Sequence, residues 1–239
     1  MRWRKVLQEP VAIFPPPDSG LNWRSWAREM AAAVHDSVLP PPYPTQSLPK
    51  GEGGQVLLLP GFLTGDWAML RLNGFLRRLG YRVAPPGILL NLGPTAGLLG
   101  RLDRILLELA QSGPVNVIGE SFGGILARDL ALRHPQSVAR IVTLCTPVRF
   151  PVVTTLAPIA ALLGPLHDSP WVARRHDIAA PLPVPVTAIY SPDDGIVDWR
   201  QCLLDDASRN IAVRGAHTTM GSNPAAQIVI AMALADECA

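Results

Sequence analysis

A serine hydroxyl becomes a nucleophile when a base takes its proton. An imidazole serves as that base when a carboxylate orients it and stabilises its cation. The chain carries all three groups, each just after an apolar run. Ser121 lies in Gly119-Glu120-Ser121-Phe122-Gly123-Gly124, Asp194 in Ser191-Pro192-Asp193-Asp194-Gly195, and His217 in Arg214-Gly215-Ala216-His217. Asp193 and Asp198 compete with Asp194 for the acid role. Asp194 is preferred because it directly precedes Gly195, which suits a turn that aims the side chain back across a sheet edge. Asp193 is expected to cap that turn and Asp198 the helix that follows. The chemistry such a set performs is attack on a carbonyl, formation of an acyl-enzyme, and release by water that His217 activates.

Positioning those groups requires strands that end where they sit. Val115-Asn116-Val117-Ile118 reads as a short buried strand and Ile125 to His134 as an amphipathic helix, so Ser121 occupies a strand-to-helix turn. G-x-S-x-G in that setting places the serine on a strained backbone, with glycines where side chains would clash and a helix N-terminus beneath. Seen alone, an ordinary glycine-rich turn is the competing reading. Gln55 to Leu59 is a second buried strand, ending in Pro60-Gly61-Phe62-Leu63-Thr64-Gly65, where Gly61 lets the N–H of Phe62 turn inward. Tyr81–Ala84, Val138–Leu144, Val186–Tyr190 and Asn210–Val213 read as further strands. Helical patterns cover Asp66–Leu79, Leu98–Leu109, Trp199–Ala207 and Ala225–Leu234. Strands alternating with helices predict an α/β fold, with a mostly parallel central sheet flanked by helices.

Two segments break the alternation. Residues 148–183 hold six prolines and the apolar run Ile159-Ala160-Ala161-Leu162-Leu163, read as an inserted cap or lid. The competing reading is a surface excursion with a core-facing helix. Leu63, Ile159, Leu162 and Met220 are the candidate substrate-lining residues. Residues 1–50 form a proline-rich arm ahead of the main domain, 51–239. Within the arm Trp23, Trp26, Ala27, Met30 and Val34 share one helical face, which predicts a short helix pinned to the domain surface and doing no chemistry.

Composition narrows the function. A hydrophobic fraction of 48% over 239 residues supports a large core, and a net charge of +2 gives no reason to expect nucleic acid. Cys145, Cys202 and Cys238 are odd in number and lack a metal or redox spacing, so no disulfide framework is expected. His134 is expected to end the serine-bearing helix. His35, His167 and His176 have no ligand-like spacing, so neither a metal nor a cofactor is expected. Glu120 is expected either near the site or facing solvent. The uncharged run Phe150 to Leu166 is 17 residues with three prolines, too broken for a membrane span. Met1–Pro10 lacks the apolar stretch of a secretory signal, and a cytoplasmic protein is expected.

From about Gln55 onward the chain resembles the α/β-hydrolase superfamily, in particular small bacterial esterase/lipase-like members. The carriers are Leu59-Pro60-Gly61-Phe62, the Ser121 turn, Thr143-Leu144-Cys145-Thr146-Pro147, Tyr190 to Val197, and Gly215-Ala216-His217. The order Ser, Asp, His is that superfamily's order. The resemblance implies Ser121 as nucleophile, Asp194 as acid, His217 as base, and the N–H groups of Phe62 and Phe122 as oxyanion donors. Two departures stand out: Asp198 follows Asp194-Gly195-Ile196-Val197 where the family usually has proline, and Pro60-Gly61 replaces the common His-Gly. The implied activity is serine hydrolysis of carboxylic esters. An acyltransferase or thioesterase would use the same triad, and a non-catalytic binding protein could share the fold. The implied partner is a small-molecule acyl ester or a lipid, with transient contact of the cap with a lipid surface.

Overall fold

The structure is a computed structural model describing residues 21–44, 47–173, 177–178, 180–205 and 209–235. Met1–Pro10, Pro15-Pro16-Pro17, His176 and Cys238 lie outside the described residues.

Six parallel strands form one sheet: β1 (Gln55–Leu59), β2 (Arg82–Ala84), β3 (Val115–Glu120), β4 (Val138–Leu144), β5 (Val186–Tyr190) and β6 (Arg209–Ala212), in the order β2-β1-β3-β4-β5-β6. Their apolar runs follow from burial on both faces. In β1, Val56 and Leu58 pack with helices α2 (Leu70–Arg78) and α7 (Pro224–Ala235). Leu57 and Leu59 turn the other way, onto α3 (Ala96–Leu109) and α4 (Phe122–Arg133). The strand period of two thus builds a core on each side of the sheet.

Register sets the working edge. Leu59 pairs with Gly119, Glu120 with Leu144, Leu144 with Ile189, and Tyr190 with Ala212. The carboxyl ends of β1, β3, β4, β5 and β6 are therefore nearly level. The strand order reverses between β1 and β3, the position where open α/β sheets bind ligands.

Local chemistry shapes the helices. Thr95 caps α3 by accepting the N–H of Leu98 at 3.2 Å, and Leu99, Leu102 and Leu106 form its buried stripe. α4 is buried from Gly123 to Ala131. The expected helix over Asp66–Leu79 begins as a 3-10 turn, Asp66–Met69, before α2. Of the one expected over Trp199–Ala207, the described residues 199–205 hold a short 3-10 turn, Trp199–Cys202, capped by Asp198 as expected; the rest lies outside the described residues.

The excursion between β4 and β5 carries α5 (Ala157–Leu163) and α6 (Ser169–Ala173). It is tied down at several points. Buried Arg128 of α4 donates to the carbonyls of Ile178 and Ala180 at 2.7 and 2.6 Å, and the Asp168 N–H donates to Pro94 O at 2.9 Å. Trp171 packs on Phe122, with ring centroids 5.8 Å apart.

The arm helix, α1 (Trp23–Val38), is present and lies against the domain. Its apolar face looks outward: Trp23 is 73% exposed and Val38 71%. The face on the domain is polar, with Ser25 and Glu29 buried and Asp36 accepting from Ser222 Oγ at 3.2 Å. The contacts that Glu29 makes, described below, lie on this polar face. Asn22 starts the helix with a reciprocal capping box to Ser25.

Candidate active site

Ser121 has φ 52° and ψ −122°, a backbone conformation that side-chain-bearing residues adopt only under constraint. The constraint is visible in its neighbours. A Cβ on Gly119 would collide with the Gly123 and Gly124 backbone, one on Gly123 with Leu59 O, and one on Gly124 with the Thr146 side chain. A Cβ on Gly61 would lie 3.2 Å from the Ser121 Cβ, so the turn after β1 sits directly against the serine. The Phe62 and Phe122 rings meet edge to face at 6.3 Å. Among the described residues, neither backbone N–H of this pair has a hydrogen-bond partner.

Asp194 and His217 come together from different strand ends. His217 Nδ1 lies 2.7 Å from Asp194 Oδ2, and both side chains are almost wholly buried. Asp194 Oδ1 accepts the N–H groups of Ile196 and Val197, each at 2.8 Å, which fixes the carboxylate. The competing acids are occupied elsewhere: Asp193 pairs with Arg214 at 3.1 Å, and Asp198 caps Arg200. With Nδ1 engaged, Nε2 is the ring nitrogen left to exchange a proton. Among the described residues no hydrogen bond joins it to Ser121 Oγ; in resting enzymes such contacts often tighten only with substrate bound.

The remaining candidates are more scattered. Leu63, at φ 60°, follows the β1 turn and donates its N–H to Asn91 O at 2.8 Å. Met220 is buried in the core on the α2/α7 side, whereas Ile159 is 41% and Leu162 77% exposed. His134 ends α4 and meets Asp103 at 2.9 Å; His167 lies 3.1 Å from Leu92 O; His35 is exposed.

Cys145 and Glu29 were not foreseen as neighbours of the pair, whereas Glu120 takes the first of its two expected places. Cys145, at φ 48° after β4, places its thiol within 4.8 Å of the Asp194 and His217 donor atoms, the one group among the described residues that could hold a metal. Asp194 is already committed to His217 and to two backbone donors, and burial pushes the thiol's pKa well up, against the thiolate a metal needs. Glu120 is buried rather than solvent-facing. Glu29, from the far end of the chain, joins the site. Its signal was the spacing Ser25, Glu29, Asp36, which puts three polar residues on one helical face.

The electrostatics follow. Burial alone would depress the His217 pKa, but the charge and hydrogen bond of Asp194, with Glu120 and Glu29 behind it, raise it to about 8. Burial raises Glu120 to about 7; the His217 cation opposes this, and Glu29 and Asp194 add to it. A base must be neutral to act, so kcat/KM is expected to rise about tenfold per pH unit up to the His217 pKa and then level off. Stability runs the other way. From 4.5 to about 7 the folded state keeps a Glu120 proton that the unfolded chain has lost, and from 6.5 to about 8 it keeps one on His217. A state that binds more protons loses ground as pH rises. Tm is therefore expected to fall across the range in which activity grows. Parallel pH series of initial rates and thermal melts check this, and a Tm that climbed with pH there would contradict the assigned environments.

A six-stranded parallel sheet with a serine at the β3–α4 turn and an acid–histidine pair after β5 and β6 defines an α/β-hydrolase fold. Residues 78–184 match the family model described as alpha/beta hydrolase fold. Solved structures agree at low identity. The chain is similar to a thioesterase domain from the curacin biosynthetic pathway (16% identity, TM-score 0.51, covering 77% of this chain and 93% of that one). It is similar to a variant of tomato methylketone synthase I complexed with beta-ketoheptanoate (13%, 0.56, 77% and 97%). It is also similar to a methylesterase from Arabidopsis (15%, 0.52, 75% and 97%). No curated protein matches the sequence. Among the described residues no helix is long and apolar enough to cross a membrane.

Proposed function

We propose that the protein is a serine hydrolase that cleaves carboxylic esters through an acyl-enzyme on Ser121. The observation that carries this reading is the buried 2.7 Å contact of Asp194 with His217, alongside a serine held at φ 52° on the strand-to-helix turn. The ester carbonyl lies with its oxygen toward the Phe62 and Phe122 N–H groups, which have no partner among the described residues. Ser121 Oγ bonds to the carbonyl carbon and passes its proton to His217 Nε2. The C–O bond to the alcohol breaks, and His217 returns the proton to the departing oxygen. Water then repeats the sequence on the acyl-enzyme, its proton going to His217 and then to Ser121, and the acid leaves. Asp194 holds the imidazole so that Nδ1 carries a proton throughout.

The reading extends to an apolar acyl group. Ile88, Leu89, Leu90 and Leu92 line an open cleft whose loop is joined to the β1 turn through Leu63 N–H to Asn91 O and Asn91 N–H to Thr64 O. Exposed Ile159, Leu162 and Leu166 of the excursion supply further apolar surface for a lipid substrate. A fluorophosphonate probe should label Ser121, and a p-nitrophenyl ester series should show hydrolysis that improves from two-carbon to medium acyl chains. Failure to label Ser121, with no hydrolysis at any chain length, would remove the reading. Added alcohol acceptors would reveal acyl transfer as a second product from the same acyl-enzyme.

A further inference from the structure

Glu29 lies on α1, outside the sheet domain, yet its carboxylate is inserted between the loops that carry the acid and the base. Oε1 accepts the N–H of Gly195 at 2.8 Å and that of His217 at 3.0 Å. Oε2 accepts the N–H of Thr218 at 3.1 Å, and Thr218 Oγ1 lies 3.2 Å from it. Gly195, next to Asp194, makes the approach possible. A Cβ there would stand 2.6 Å from Ser25 O and 2.8 Å from Glu29 Cγ. Both carboxylate oxygens act only as acceptors, the pattern of an ionised group. The side chain is buried, and Glu29 is 2% exposed. Burying a charge is a poor way to attach a helix, since apolar packing usually stabilises as well or better. α1 even carries the apolar residues for that and leaves them in solvent. Attachment alone therefore does not account for Glu29.

We propose that Glu29 is a positioning residue of the catalytic centre: the arm helix delivers a carboxylate that locks the Asp194–Gly195 and His217–Thr218 loops in register and places a fixed negative charge behind the base. The inference rests on the serine-hydrolase reading above. Among the described residues, the groups that face His217 are Asp194 after β5, Glu120 at the end of β3, the Cys145 thiol after β4, and Glu29. Asp194 orients the ring through Nδ1; Glu29 fixes the backbone on which the ring is mounted. Its charge also favours the imidazolium that forms as Ser121 attacks.

The test uses the full chain with Glu29→Gln, which keeps the shape, removes the charge, and turns an N–H donor toward the Thr218 N–H. Misplacing a catalytic group by a fraction of its working distance costs on the order of 10²-fold, so kcat is expected to fall by about that factor with KM little changed. The acid limb of kcat/KM is expected to move to lower pH, and the thermal melt to remain cooperative. A folded variant with wild-type kcat would overturn the proposal. So would a loss of kcat with the acid limb unmoved, because that is all a purely structural role predicts. If Glu29→Gln does not fold, Thr218→Val decides, since it removes only the hydroxyl contact: a several-fold lower kcat supports the proposal and an unchanged kcat refutes it. NMR titration of the His217 imidazole separates this outcome from the parent reading. An inactive, unlabelled wild type whose His217 still titrates lower in Glu29→Gln would sink the hydrolase reading and leave the positioning role standing. An unchanged titration would sink the positioning role.

Discussion

Ser121→Ala is expected to lower kcat for a short p-nitrophenyl ester by on the order of 10⁶-fold, with the fold intact. Alanine keeps the Cβ that already fits against Gly61, so the turn, the glycine contacts of α4 and the Phe62–Phe122 pairing have no reason to change. What disappears is the hydroxyl that forms the acyl bond in the proposed mechanism. The Cys145 thiol does not replace it, because burial holds that thiol protonated. The residual rate would come from the unpaired Phe62 and Phe122 N–H groups polarising the ester toward water. Circular dichroism and a thermal melt matching wild type, together with loss of the burst of p-nitrophenol, complete the measurement. Retention of even a tenth of the wild-type kcat would remove Ser121 from the mechanism.

Asp194→Asn is the second large effect, on the order of 10⁴-fold in kcat. The reason lies in the hydrogen-bond inventory. Asp194 Oδ1 accepts two backbone N–H groups, from Ile196 and Val197. An asparagine must keep its oxygen there, which turns its NH₂ toward His217 Nδ1. That nitrogen would then have to accept, and the imidazole would carry its proton on Nε2. A ring protonated on Nε2 cannot take the serine's proton. Losing the Asp194 charge also removes the largest influence raising the His217 pKa. Asp193→Asn and Asp198→Asn serve as controls: the first touches an exposed pair with Arg214 and the second a helix cap, so both should stay near the wild-type rate. A greater loss in either control than in Asp194→Asn would move the acid role.

Much of this architecture was legible because sheets buried on both faces leave continuous apolar runs. Val138–Leu144 and Val186–Tyr190 appear in the structure with the bounds their residues suggested. The glycines around Ser121 were legible for a related reason: only a tight strand-to-helix turn makes use of so many small residues in six positions. What stayed hidden depends on long-range packing. Whether Glu120 faces solvent or core is set by Gly221, whose Cβ position lies 3.4 Å from Glu120 Oε2, and by His217, nearly a hundred residues on. The side that α1 turns to the domain was not legible either. Periodicity identified the helix and its apolar stripe, which the structure leaves largely in solvent. Four polar contacts to the Glu29 carboxylate, from residues more than 160 positions away, hold that face on the domain; the spacing of Ser25, Glu29 and Asp36 marks the face but not its partners.

The conformation of Ser121 has a consequence for anyone designing on this backbone. At φ 52° glycine is the residue the chain itself would choose, and a procedure that optimised folding free energy alone would write glycine at position 121. It would return a sturdier molecule without the hydroxyl on which the proposed ester cleavage depends. The serine marks the point where the demands of folding and of chemistry diverge.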